Sequence, residues 1–249
     1  MKKLTVIILI FALVFSLVSC GRTAVLDETE THTVTSQIHS LEIHINAADF
    51  RIEHADAFSV ESNLKYLSVS EKDGVLRIVD EAENARDYSD AMLTLRIPGD
   101  IVFDKVNIET GGAKITVDAL SAGSFDFNLG AGDVFFKSLN ASKHVEIEGG
   151  AGKITIDGGT LNNLKLEMGV GELNLNAALL GDSDLEFGIG EANITLLGNK
   201  DDYKLEIQKG LGNISVDRNS ISDTANIGDG QNYIEIEGGI GAINLMFED

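Results

Sequence analysis

An all-β fold is what this chain predicts: a β-solenoid (parallel β-helix-like) of stacked coils of about 19–20 residues each, following a signal peptide. Three observations predict it. A Gly-apolar-Gly unit recurs along the chain, alternating apolar and polar residues flank each copy, and 26 glycines accompany a single proline. Tight bends made without proline suit a repeating coil better than a helical bundle.

The first element is an export signal. Lys2 and Lys3 precede an apolar run from Leu4 to Val18, interrupted only by Thr5 and Ser16. That run is short of the roughly 20 residues a membrane span needs. Leu17-Val18-Ser19-Cys20 then resembles a bacterial lipobox, whose cysteine receives a diacylglycerol and becomes the mature N-terminus. Residues 1–19 are therefore expected to be a lipoprotein signal peptide, with Cys20 the lipidation site. Lipid attachment at the extracytoplasmic face of a bacterial membrane is the expected localisation. Residues 20–40 are polar and aperiodic and read as a tether.

Residues 41–104 read as divergent N-terminal coils or a cap. Leu41-Glu42-Ile43-His44-Ile45 leads through Asn46–Asp49 into Phe50-Arg51-Ile52, the coil layout with its glycines replaced. Leu64–Val69 and Val75–Val79 suggest a hairpin around Asp73-Gly74, and Glu81–Asp90 a charged loop before a strand at Ala91–Ile97.

Residues 105–249 carry the regular repeat. Its copies are Gly130-Ala131-Gly132, Gly150-Ala151-Gly152, Gly169-Val170-Gly171, Gly188-Ile189-Gly190, Gly210-Leu211-Gly212 and Gly239-Ile240-Gly241, after a variant at Gly111-Gly112-Ala113. Successive first glycines lie 19, 20, 19, 19, 22 and 29 residues apart. Val145-Glu146-Ile147 before a copy and Ile154-Thr155-Ile156 after it are half-buried strands by their alternation. Side-chain parity places the middle residue of each copy (Ala131, Ala151, Ile189) inward. The bend then falls on the second glycine, which makes Gly132, Gly152, Gly171, Gly190, Gly212 and Gly241 structural hinges. Each unit is thus two short strands hinged at a glycine and closed by a polar turn. One unit buries too few side chains to offset its own ordering, so coils must stack. Asp217–Gln231 is the longest late interruption, expected to be a surface loop or lid.

Composition narrows the function classes. With 40 acidic and 19 basic residues the net charge is −21, and losing Lys2 and Lys3 leaves 17 against 40, or −23. Such a chain lacks the basic footprint nucleic acid requires. Attachment to an anionic membrane must come through the lipid. Cys20 is the only cysteine, so its lipidation leaves no thiol for disulfides, metal or nucleophilic catalysis.

No catalytic residue, metal site or cofactor is predicted. Gly150-Ala151-Gly152-Lys153 lacks the first glycine and the Ser/Thr of a phosphate loop, and precedes a strand rather than a helix. The calcium nonapeptide pattern fails where Ile154 takes the aspartate position, leaving Asp229 and the pair Asp201-Asp202 as turn residues or weak ligands. Of His32, His39, His44, His54 and His144, only His44 and His54 suggest a meeting on adjacent strands, without a third ligand for zinc. Outward carboxylate pairs (Glu146 with Glu148, Glu235 with Glu237) keep a polysaccharide-active β-helix enzyme as the rival reading. The absence of tryptophan removes the best stacking platform for sugars.

Leu93–Pro98, Phe103–Ile108 and the Gly-x-Gly strands together resemble the bacterial "putative adhesin" family, β-strand-repeat surface proteins of unknown function, across roughly residues 40–249. The resemblance implies a β-solenoid displayed at the cell envelope, in some members linked to envelope stress, and supplies no catalytic residue. The expected partners are the membrane, through the lipid, and an unidentified protein or envelope component. A second copy is a further candidate, pairing with an open edge at the last strand, Ile243–Phe247.

Overall fold

The computed structural model describes residues 25–83 and 87–248. The expected signal peptide and Cys20 lie outside them. Among the described residues there is no α-helix, only a 3-10 turn at Lys200–Asp202, and hence no helix long and apolar enough to cross a membrane.

Among the described residues eighteen strands form one sheet. The N-terminal part holds β1 (Leu26–Thr33), β2 (Ser40–Ala55), β3 (Ser59–Leu64), β4 (Leu67–Lys72), β5 (Val75–Asp80) and β6 (Met92–Pro98). The middle holds β7 (Phe103–Val117), β8 (Leu120–Phe136), β9 (Leu139–Ile156), β10 (Gly159–Asn162), β11 (Leu164–Leu180) and β12 (Asp182–Leu197). The last part holds β13 (Tyr203–Gln208), β14 (Leu211–Val216), β15 (Asn219–Ile221), β16 (Ala225–Ile227), β17 (Asn232–Glu237) and β18 (Ile240–Glu248).

The long strands stack in parallel and in register. β2, β7, β8, β9, β11 and β12 follow one another, so that Phe50, Ile115, Val134, Ile154, Leu173 and Ala192 form one inward column. Every member of that column is buried. Aromatic rings pack inside the β8 coil: Phe136 meets Phe125 and Phe127 edge-on, with centroids 5.5 and 5.7 Å apart.

Each coil has a third, short side that the sequence reading assigned to a polar closing turn. Leu120–Ala122, Leu139–Ala141, Gly159–Leu161 and Ala178–Leu180 pair in parallel. Their apolar members Leu120, Ala122, Leu139, Ala141, Leu161 and Leu179 are buried. Asn163 (φ 52°) and Gly181 (φ 74°) turn the chain from this side into the next.

Both ends depart from sequence order. At the N-terminal end β2 lies between β7 and the pair β5/β6, so the coil made later in the chain is the outermost. β4 and β3 cover β5 and β6 antiparallel, and β1 covers β3. The predicted hairpin is present, with Asp73 (φ 51°) and Gly74 (φ 76°) making its turn. Residues 20–40, read as a tether, include the strand β1 and the buried Val25 and Ile38.

The C-terminal end mirrors this. β17 and β18 insert between β12 on one side and β13/β14 on the other. Ile243 pairs with both Ala192 and Ile214, and Leu245 with both Ile194 and Val216. The last strand is therefore not the open edge that the sequence suggested. Asp217–Gln231 is not a lid: its β15 and β16 pair antiparallel with β14 and β13 and close the outermost coil. In space nine coils follow one another (β5/β6, β2, β7, β8, β9, β11, β12, β17/β18, β13/β14). At about 4.8 Å per step the stack is about 38 Å long.

Candidate interaction surface

The Gly-x-Gly corner is where the coils differ most from the sequence expectation. Gly132, Gly152, Gly171, Gly190 and Gly241 adopt positive φ between 124° and 150°; Gly212, the sixth predicted hinge, is not among the positive-φ residues. Close approach constrains all six. A Cβ on Gly190 would strike the carbonyl oxygen of Gly171, and one on Gly212 the carbonyl oxygen of Gly241. The first glycines meet the coil below in the same way: a Cβ on Gly188 would strike the carbonyl of Gly169. Two columns of bare backbone thus run up the stack.

Between those columns the middle residues point outward, not inward. Ala131, Ala151, Val170, Ile189, Ile240 and Leu211 are all exposed, Val170, Ile189 and Ile240 at 52% and Leu211 at 77%. Their register places them in one line: Ala131 beside Ala151, then Val170, Ile189, Ile240 and Leu211. The row grows from alanine to branched side chains toward the C-terminal end. Contiguous exposed apolar surface of this kind marks interaction sites more often than isolated apolar residues do.

Acidic side chains rim this row. On the face before the corner Glu148, Glu167, Glu186 and Glu237 stack in register, one per coil. Glu172 and Glu191 stack on the face after it. Lys153 pairs with Glu172 at 2.9 Å, and Lys165 with Glu167 at 2.8 Å and Glu146 at 3.5 Å. Among the described residues Glu186, Glu191 and Glu237 have no cationic partner within salt-bridge distance. Exclusion of water by neighbouring groups, and then the charges of Asp184, Glu167 and Glu237, raise the Glu186 carboxyl above its ordinary range. Glu172 is lowered instead, by the Asn174 amide at 2.7 Å and by Lys153.

A groove follows the glutamate row. Glu167, Glu186 and Glu237 stand beside Met168, Phe187 and the glycines 169, 188 and 238. The inward column Leu129–Gly149–Met168–Phe187 runs in register from β8 to β12, and Gly238 follows Glu237, the register partner of Glu186. Over Gly149 the Met168 thioether fills the space. At Gly238 the position of a Cβ is already closed in by Ile214 Cδ1 and by the backbone of Gly210 and Gln208, and Phe187 stays half-buried. The groove therefore has an apolar floor and an acidic rim.

The face beyond the corner carries a hydrogen-bonded polar ladder. Asn174, Asn193 and Asn244 form a ladder, with amide donors at 3.2 Å (Asn193 to Asn174) and 3.0 Å (Asn244 to Asn193), and Ser215 ends it by donating to Asn244 at 3.0 Å. This ladder was not singled out from the sequence, although Asn follows Leu173, Ala192 and Ile243 at equivalent places.

Other candidates are accounted for locally. Lys153, the lysine of the phosphate-loop echo, sits on β9 and pairs with Glu172. Asp201 and Asp202 lie in the 3-10 turn capped by Asn199, and Asp229 follows Gly228 (φ 76°) in the loop between β16 and β17. His44 and His54 both lie on β2, ten residues apart, rather than on adjacent strands. His44 meets Glu109 at 2.9 Å and Glu42 at 3.2 Å. One cluster unforeseen from sequence is Asp126, His144 and Glu146, whose ligand atoms lie within 4.8 Å of one another. Asp126 already holds Lys105 at 2.6 Å and Glu146 holds Lys165, so cationic side chains occupy the carboxylates a metal would use.

Comparison with known proteins adds the family. No curated protein matches this chain. Among solved structures, a "putative adhesin" from Bacteroides fragilis NCTC 9343 is similar in fold, with a TM-score of 0.53 at 12% identity over 87% of this chain and 95% of that one. A "putative lipid binding protein" from Parabacteroides distasonis ATCC 8503 aligns over 87% and 96% of the two chains, at 14% identity and a TM-score of 0.45. The Toastrack DUF4097 profile matches residues 33–245, which span the stack from the end of β1 to β18. The chain belongs to the Toastrack DUF4097 family.

Proposed function

We propose that the chain is a lipid-anchored, non-enzymatic interaction module on the extracytoplasmic face of a bacterial membrane, serving adhesion, scaffolding or envelope-stress signalling. The lipobox ending at Cys20 supports the anchor, and the stiff stack supports display of a fixed surface. The observation that carries the binding role is the exposed row Val170–Ile189–Ile240–Leu211 on a rigid scaffold. Leaving four branched side chains in water is costly for a monomer, and a partner that covers them recovers that free energy. The carboxylates of this surface lie along open ladders, an arrangement suited to recognition.

Two measurements test this reading. Metabolic labelling with a clickable fatty acid should mark the wild-type chain and not Cys20→Ala, and the label should fractionate with membranes. Unlabelled wild type would contradict the anchor. Affinity capture from envelope extracts with the full chain should recover a component whose retention falls when Ile189→Ser and Ile240→Ser are combined. Hydrolysis of envelope polysaccharide by the purified chain would replace the module with an enzyme.

A further inference from the structure

Resting on the interaction-module reading, we infer that the surface recognises a basic amphipathic α-helix of a partner polypeptide, lying along the stack with its apolar stripe in the groove. Three features of this surface specify that chemistry. The first is apolar: Val170, Ile189, Ile240 and Leu211 form an exposed row, one residue per coil, beside the groove lined by Met168 and Phe187. The second is charge. Glu186, Glu191 and Glu237 are unpaired among the described residues and stand on both sides of that row, in a molecule of net charge −21. Lys153 and Lys165 are nearby but already engaged by Glu172 and Glu167, and Lys209 lines the groove at its C-terminal end. Stacked like charges repel, and a cationic partner relieves the repulsion that a second copy of this chain or an anionic lipid surface would increase.

The third feature is spacing. Equivalent residues on successive coils lie about 4.8 Å apart. A helix advances about 4.5 Å over three residues and about 6 Å over four. Its i, i+3, i+7 and i+10 positions therefore keep step with four coils, one apolar contact per coil. Same-face residues of an extended strand advance about 6.6 Å and fall out of step after one coil. Lysine or arginine on the helix flanks then reaches the glutamate rows, while the apolar stripe covers Val170 to Leu211.

The test uses the full chain in zwitterionic nanodiscs, with empty discs as the blank, and three synthetic 14-residue probes read by fluorescence anisotropy. These are a Leu/Lys amphipathic helix, the same helix with Glu for Lys, and a scrambled Leu/Lys sequence of equal charge. Specific binding of the Leu/Lys helix alone is expected. It should weaken at least tenfold for E186Q/E237Q and for I189S/I240S, weaken with rising salt, and stay unchanged for E28Q on β1. All variants alter exposed side chains, and thermal melts confirm that they fold. Equal binding of the scrambled or Glu probe, or indifference to both double variants, overturns the proposal. So does a surface that binds anionic vesicles or a second copy while ignoring the helix. If envelope capture succeeds through another face, the module reading survives and this inference falls.

Discussion

At Gly190 two constraints coincide, a φ of 147° and the Gly171 carbonyl directly below. Gly190→Ala should therefore cost about 2 kcal/mol or more in urea denaturation, through strain at a glycine-only conformation. Its neighbour gives the opposite outcome. Ile189→Ser should change stability by no more than about 0.5 kcal/mol, since its side chain is already half in water. Leu185→Ala, on a fully buried side chain four residues earlier, should cost about 2–5 kcal/mol. The inward placement that parity assigned to Ile189 would instead predict a loss near that of Leu185. Parity failed there for a physical reason. The step between inward residues across the corner is five, from Leu129 to Val134, and both glycines and the residue between them are spent on the turn.

The same scale holds two titrations of opposite sign. The Ser36 hydroxyl, then the backbone N–H groups of Ser36 at 2.7 Å and Thr35 at 3.1 Å, with His32 Nε2 3.4 Å away, hold the Glu71 carboxyl down at about 2. A depressed carboxylate stabilises the fold above its unfolded value near 4.5, and that contribution disappears as pH falls toward 2. Glu71→Gln should remove this acid-sensitive part and loosen the β1–β2 connection at neutral pH, visible as faster proteolysis around residues 33–36. Glu186 is raised, so its charge opposes folding above its shifted value. Glu186→Gln should stabilise at neutral pH, and the gain should shrink as the wild-type carboxyl protonates on acidification. A gain that persisted unchanged at low pH would contradict the repulsive ladder.

Among elements, the regular coils were legible and the ends were not. The period from Gly111 onward, the alternating strands and the Asp73-Gly74 hairpin are all visible in the residues. Each coil carries the same inward pattern, however, so nothing local states which coil neighbours which. The long interval between Gly210 and Gly239 is the only sign that β17/β18 return inside β13/β14. The short side of each coil was missed because three residues such as Leu120-Ser121-Ala122 are too few to show a period. Interleaving has a consequence for exchange. Ile243 and Leu245 are bonded on both sides, so their amides should exchange as slowly as those of β12, although they lie close to the chain end. Rapid exchange there would return β18 to the edge.

For the whole molecule, both ends of the stack are closed by antiparallel strands drawn from inside the sequence: β3 and β4 at one end, β15 and β16 at the other. β1 adds an outer strand rich in acidic and polar residues at the N-terminal end. Charged and short edge strands discourage end-to-end growth of such stacks. What remains open is the corner, and its row of side chains enlarges toward the C-terminal end. The anchor, the candidate metal cluster and the partner separate into independent tests. Chelation should leave the melting temperature unchanged, because Lys105 and Lys165 already neutralise Asp126 and Glu146.

The order of the corner residues along the stack is the claim on which the surface depends. Spin labels at Ala131 and Ile240, and separately at Ala131 and Leu211, on a Cys20→Ser background measure it by pulsed electron resonance. With one coil per about 4.8 Å, position 240 lies four steps from 131 and position 211 five, so about 19 Å and about 24 Å are predicted, with mobile, solvent-exposed labels at every site. A longer distance to 240 than to 211, or immobilised labels at the corner, would contradict both the interleaved stack and the exposed apolar row.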